Sequence, residues 1–179
     1  MLLPGEHTTA HLLYRLFHGV HGRIEHVPFF EIMPALESGR ADFGVCIHEG
    51  RFTWREHDLE LVEDLGAAWE ARTHAPLPLG GIVVRRELPS DAAASLDCAI
   101  AASIDYAREH RDETLVTMRE HARELSDAVL WAHVELYVTE WTRDMGWTGE
   151  HALAELERAA RASGWTSDAQ PALEMLAHR

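Results

Sequence analysis

Basic residues, thiols and long apolar runs are all scarce in this sequence of 179 residues. Lys and Arg total 16 against 30 Asp and Glu, a formal charge of −14. That balance excludes a nucleic-acid partner, because binding a phosphate backbone rests on basic surface. Only Cys46 and Cys98 carry thiols, and they show no CxxC spacing, so two reduced cysteines in a cytoplasmic chain are expected. No apolar run approaches the roughly 18 residues of a membrane-crossing helix, so no membrane association is expected. The opening MLLPGEHTTA has neither a basic start nor a long apolar stretch, so no secretory signal is expected. GxGxxG, GxxxxGK[ST] and GxSxG are all missing, which removes the usual nucleotide-binding loops and the nucleophile elbow.

What remains is ordinary globular material. Apolar residues make up 46% and charged residues 26%, enough for one domain or two small lobes with a real core. The first half alternates short strand and helix patterns. Strands are expected at Met1 to Leu3, Arg23 to Val27, Ala41 to Ile47, Leu59 to Val62 and Leu79 to Arg85. Between them, Thr8 or Thr9 caps a helix with Leu12, Leu13, Leu16 and Phe17 on one face. Pro28 and Pro34 mark another helix start, and Asp64 leads a helix over Leu65 to Thr73. After Pro89 the pattern turns helical. One long helix opens at Ser90-Asp91, and a helical segment follows near Thr114 to Leu125. Another helix spans Ala128 to Met145, a third runs from Thr148-Gly149 to Ser163-Gly164, and a short one covers Leu173 to His178. The expected division is a lobe over residues 1–88 holding the cleft residues and a helical segment over 89–179.

Two places can carry chemistry. In PGEHTTAH, Pro4 to His11, a glycine turn feeds a hydroxyl-rich helix start. Free backbone N–H groups and hydroxyls there suit a carboxylate or phosphate, although a plain N-cap explains the same residues. His7 and His11 share the HxxxH spacing of a zinc helix, but Thr8 stands where the catalytic glutamate belongs, and no metal is expected. The second place is His48, which the apolar run Phe43 to Ile47 delivers to the carboxyl end of a strand. Ligands gather at that edge of open sheets. A neutral imidazole there can accept a substrate proton, the competing reading being a histidine bonded to a nearby carbonyl. Glu49, next in sequence, faces the other way on a strand and forms no dyad with His48. Cys46 shares His48's face and reads as a small buried thiol rather than a nucleophile.

The segments PGEHTTAHLLYRLF, FFEIMPALESGRADFGVCIHEGRFTW, LVEDLGAAWEARTHAPLPLGGIVV and HVELYVTEWTRDMGWTGEHAL resemble, in this order, the 1,4-dihydroxy-6-naphthoate synthase family of the futalosine route to menaquinone. The IHEGRFT and WE-x-x-T-x-x-PLPLGGI blocks are the most specific. The resemblance implies an α/β, periplasmic-binding-protein-like (type II), two-lobed fold with a helical C-terminal half. It implies cleavage of a carboxylate substrate, cyclic dehypoxanthine futalosine, without a cofactor. His48 would be the proton acceptor, and Thr8, Thr9 and Ala10 fall on the family's substrate-contacting segment. Family members carry about another lobe of sequence before that segment, so an N-terminally shortened form is expected. Its helical face would then be left exposed or be covered by another chain, for instance in a homo-oligomer. Two alternatives from other classes are a non-catalytic lobe that binds a small carboxylate and a relic of the enzyme.

Overall fold

The computed structural model describes residues 1–48, 50–122, 126–167 and 169. The chain begins with β1 (Leu2–Leu3), whose two leucines are both buried. Pro4 and Gly5 end the strand, and Thr8 caps α1 (Thr9–His18) by accepting the His11 N–H. Leu12, Leu13 and Tyr14 are buried on this helix, while Leu16 and Phe17 of the expected face are half-buried. β2 (Glu25–His26) follows, then α2 (Phe29–Glu37), α3 (Gly50–Thr53), a 3₁₀ turn at Trp54–His57 and α4 (Leu65–Thr73). Further along come α5 (Ser90–Glu109), α6 (Arg111–His121), α7 (Asp127–Tyr137), α8 (Glu140–Arg143) and α9 (Gly146–Ala162). The expected helix at Leu173 to His178 lies outside the described residues, as does Leu125.

Two compact units divide the chain. The first comprises Met1–Leu77 with His151–Pro171. Its core gathers Leu2, Val27, Ile32 and Ala35, with Leu36, Ala41 and Cys46 packed around them. Trp69 of α4 is also fully buried, and its indole N–H points at the Pro76 carbonyl at 3.4 Å. The second unit comprises Pro78–Glu150 with Ala172–Arg179, a tail outside the described residues. Ala93 and Leu130 are its buried apolar residues among those described. Arginines tie its helices together at the surface. Arg143 makes a two-pronged pair with Asp105 at 2.7 and 2.8 Å, and Arg111 reaches Glu135 at 2.9 Å while lying 4.0 Å over the Trp131 ring. Solvent screens such exposed pairs, so they fix the helices' register more than they stabilise the fold.

The α/β, periplasmic-binding-protein-like expectation is overturned. The structure is predominantly helical, and its sheet has two strands of two residues each. The Ala41 to Ile47 run forms a single bridge at Gly44, and the runs at Leu59 to Val62 and Leu79 to Arg85 form no strand. The physical reason is the absence of a neighbour. A β-branched apolar run becomes a strand only where another backbone takes up its N–H and C=O groups. Val62, Ile82 and Val83 instead lie 75–86% exposed. The expected helix from Ala128 to Met145 also breaks at Val138. The β-branched Val138 and Thr139 leave helical geometry, and Thr139 restarts the chain as the cap of α8, its N–H bonded to Thr142 Oγ1 at 3.1 Å.

Candidate functional site

Three short backbone runs lie side by side and point the same way. β1 pairs with β2 in parallel, Leu2 opposite Glu25 and Leu3 opposite His26. On its other side, Leu2 bridges Gly44, also in parallel. The N–H of Leu2 donates to the Phe43 carbonyl at 2.9 Å, and Val45 N–H donates to the Leu2 carbonyl at 3.0 Å. Parallel direction means that all three runs exit at one edge. β1 exits through Pro4 to Thr8 into α1, β2 through Val27 and Pro28 into α2, and the Gly44 run through Cys46, Ile47 and His48 into α3. The two segments singled out in the sequence are therefore brought to one edge by backbone pairing alone.

The PGEHTT exit is a braced turn. The Thr8 hydroxyl donates to the Gly5 carbonyl at 2.9 Å while its oxygen accepts the His11 N–H at 3.2 Å. Thr8 rather than Thr9 is thus the cap. The Leu12 N–H goes to the Thr8 carbonyl at 3.1 Å. Among the described residues this leaves the Thr9 and Ala10 amides as the first-turn donors with no recorded acceptor, at the positive end of the helix.

His48 is exposed, and its backbone is left-handed, with φ at 55°. Asp58 and His74 share that conformation, but both are helix C-caps, where it is routine. His48 precedes a helix, so capping does not account for its geometry. Its ring lies edge-on to Phe29, the first residue of α2, with centroids 4.8 Å apart. Backbone bonds hold the turn: Gly50 N–H donates to the Ile47 carbonyl and Arg51 N–H to the His48 carbonyl, both at 3.2 Å. Arg51 also reaches Asp64 at 2.8 Å, fastening the turn to the cap of α4. Asp64 Oδ1 accepts the Gly66 and Ala67 amides. Burial opposes ionisation of Asp64, but these amides and the Arg51 guanidinium together hold its carboxyl below the usual range. Glu49 lies outside the described residues. Burial pushes the Cys46 thiol up, away from thiolate character.

The sequence reading did not single out Phe29, His26 or the Arg51–Asp64 pair. The only available signals were Phe29 following Pro28 at a helix start and Asp64 as a cap, neither specific. His11 was singled out as half of a metal pair, but it has another task. It is buried, its Nδ1 lies 2.9 Å from the Glu6 carbonyl, and among the described residues no group of three His, Cys, Asp or Glu side chains is placed to hold a metal. An open depression of about 440 Å³ in the same unit, flanked by Arg15, Gly19 and Ala162, lies at helix carboxyl ends and contains no base.

An edge that offers free helix-start amides and an exposed imidazole can hold a small anion and move a proton. Residues 1–162 match the family described as menaquinone biosynthesis, and the chain belongs to it. It is 45% identical over 162 residues to the 1,4-dihydroxy-6-naphthoate synthase of Thermus thermophilus, covering 90% of this chain and 59% of the relative. It is 40% identical over 167 residues to the enzyme of the same name from Streptomyces coelicolor, with the same coverage. The chain thus spans 59% of the length of these curated relatives. Among solved structures, protein AF1704 from Archaeoglobus fulgidus superposes with a TM-score of 0.85 at 31% identity, covering 92% of this chain and 62% of that one. No described helix is long and apolar enough to cross a membrane.

Proposed function

We propose that this chain carries the reacting edge of a 1,4-dihydroxy-6-naphthoate synthase, a lyase of the futalosine route to menaquinone. The observation that supports this best is the shared exit of the PGEHTT turn and the His48 turn from three parallel runs. In this reading the Thr9 and Ala10 amides and the Thr8 turn hold the carboxylate or hydroxyls of cyclic dehypoxanthine futalosine. His48 accepts a hydroxyl proton from the bound substrate. The oxygen's electron pair then forms a carbonyl as the adjoining carbon–carbon bond breaks, and the electrons of that bond pass into the ring system. A positioned base of this kind contributes about 10²–10⁴-fold. The left-handed backbone of His48 fits this role, since such conformations cluster where a side chain must be aimed.

The test is turnover of cyclic dehypoxanthine futalosine by this chain, followed by appearance of the naphthoate. Turnover that falls at least about 100-fold in His48→Ala supports the reading. Native-level turnover in that variant removes His48 from the chemistry. Binding of substrate with no turnover by the native chain would make it a ligand-binding lobe instead.

A further inference from the structure

His11 is the one buried polar side chain among the described residues, and the proposed chemistry does not use it. It sits at the third position of α1, one turn past the cap, and its ring is boxed in on several sides. Nδ1 lies 2.9 Å from the Glu6 carbonyl and 3.3 Å from Nε2 of His26, on β2. The His26 ring centroid is 4.8 Å away, and Trp165 meets the His11 ring edge-on at 4.9 Å. Arg15, one turn along α1, lies over the other partner, 5.2 Å from the Trp165 ring.

Hydrogen-bond chemistry fixes where the protons are. A backbone carbonyl only accepts, so His11 Nδ1 must carry the hydrogen that faces Glu6. That hydrogen also faces His26, whose Nε2 must then present its lone pair, with the His26 proton on Nδ1. Two N–H groups meeting head-on at 3.3 Å would repel. One hydrogen is thereby shared between the loop carbonyl and the strand imidazole.

We propose that His11 is the positioning residue of the anion-binding turn: its Nδ1–H clamps the Glu6 carbonyl, and His26 and Trp165 lock the ring that makes the clamp. The turn from Gly5 to Thr8 is then closed twice, by Thr8 onto Gly5 and by His11 onto Glu6. Those closures set the direction of the Thr9 and Ala10 amides. Without the clamp the Glu6 carbonyl loses its partner, and the turn is free to find another conformation. This inference rests on the reading of that edge as the substrate site, and it adds a residue that touches no substrate. Burial disfavours charge on His11 and lowers its pKa, partly offset by the Glu6 bond, while His26 and Arg15 add to the lowering. A neutral ring with a fixed tautomer is what the clamp requires.

The test compares His11→Asn, whose side-chain amide can donate from near the Nδ1 position, with His11→Leu, which keeps bulk but not the donor. The probe is 1,4-dihydroxy-6-naphthoate, titrated against this chain and each variant. Affinity about tenfold weaker in Leu and within about threefold of native in Asn is expected. Equal weakening in both variants would overturn the proposal, since ring packing rather than donation would then matter; so would no weakening in Leu. If the native chain binds no naphthoate, the functional reading fails, but the clamp is still judged. Amide NMR shifts of Glu6 to Ala10 should move in Leu and stay in Asn. Should Leu not fold, the native chain decides: long-range nitrogen–proton spectra should show His11 as the Nδ1–H form, and the Nε2–H form would refute it.

Discussion

Gly44→Ala is the sharpest perturbation available, because it strikes the run that delivers His48. A methyl group at Gly44 would sit 2.5 Å from Ile32 Cγ2 and 3.2 Å from Leu36 Cδ1. Ile32 is 0% exposed, and a β-branched side chain in a helix has essentially one rotamer, so it cannot swing away. The bridge to Leu2 must shift instead. Overpacking of this kind costs about 1–3 kcal/mol. Reduced freedom of the unfolded chain returns about 0.4–1 kcal/mol, so the net loss lies within about 0–2.6 kcal/mol, and a 2.5 Å approach to a locked side chain places it in the upper half. Urea unfolding with an unchanged slope should show this as a lower midpoint. Ile32→Ala alone should cost about 2–5 kcal/mol. Combined with Gly44→Ala the total should fall short of the sum by at least about 1 kcal/mol, because the new methyl occupies the vacated space. A Gly44→Ala midpoint at or above native, or strict additivity of the pair, would refute the packing argument.

Asp64 joins a helix cap to an ion pair, and two variants separate them. Asp64→Asn should lose about 0–1 kcal/mol with the Arg51 pair, while Asp64→Ala should lose about 1–2 kcal/mol by giving up the cap as well, read by thermal unfolding. Because the Asp64 carboxyl is held below its ordinary value near 3.8, its contribution is complete above that pH and is lost as pH falls below it. His11 works in the opposite chemical sense but the same direction in pH. Its pKa is lowered from 6.5, so the unfolded chain takes the proton first, and stability declines as pH drops through 6.5 toward the folded value. Denaturant midpoints across that range should fall in the native chain and flatten in His11→Asn.

Local signals in the sequence carried a good part of the structure. Thr8 and Asp64 announce their helices because a hydroxyl or carboxylate before an apolar-periodic run has an immediate task on the first-turn amides. The strands were not legible in the same way. Ile82-Val83-Val84 carries the β signal in its side chains, yet pairing depends on a neighbouring backbone that no local pattern specifies. His48 was legible as a position, at the end of an apolar run, but its left-handed backbone and its contact with Phe29 were not. His11 shows the limit most clearly. Its HxxxH spacing from His7, without the glutamate of a zinc helix, gave no positive task, whereas its ring serves a carbonyl five residues earlier and an imidazole fifteen residues later. The parallel pairing of β1 and β2 is what brings the His26 imidazole to that turn.

In the proposed function, one ligand meets both the PGEHTT turn and the His48 turn. Titrating 1,4-dihydroxy-6-naphthoate into this chain, with backbone amide and imidazole NMR signals followed together, decides whether they share a ligand. The Thr9 and Ala10 amides and the His48 ring should shift in parallel with one affinity. Shifts confined to one of the two turns, or two unrelated affinities, would contradict a shared site.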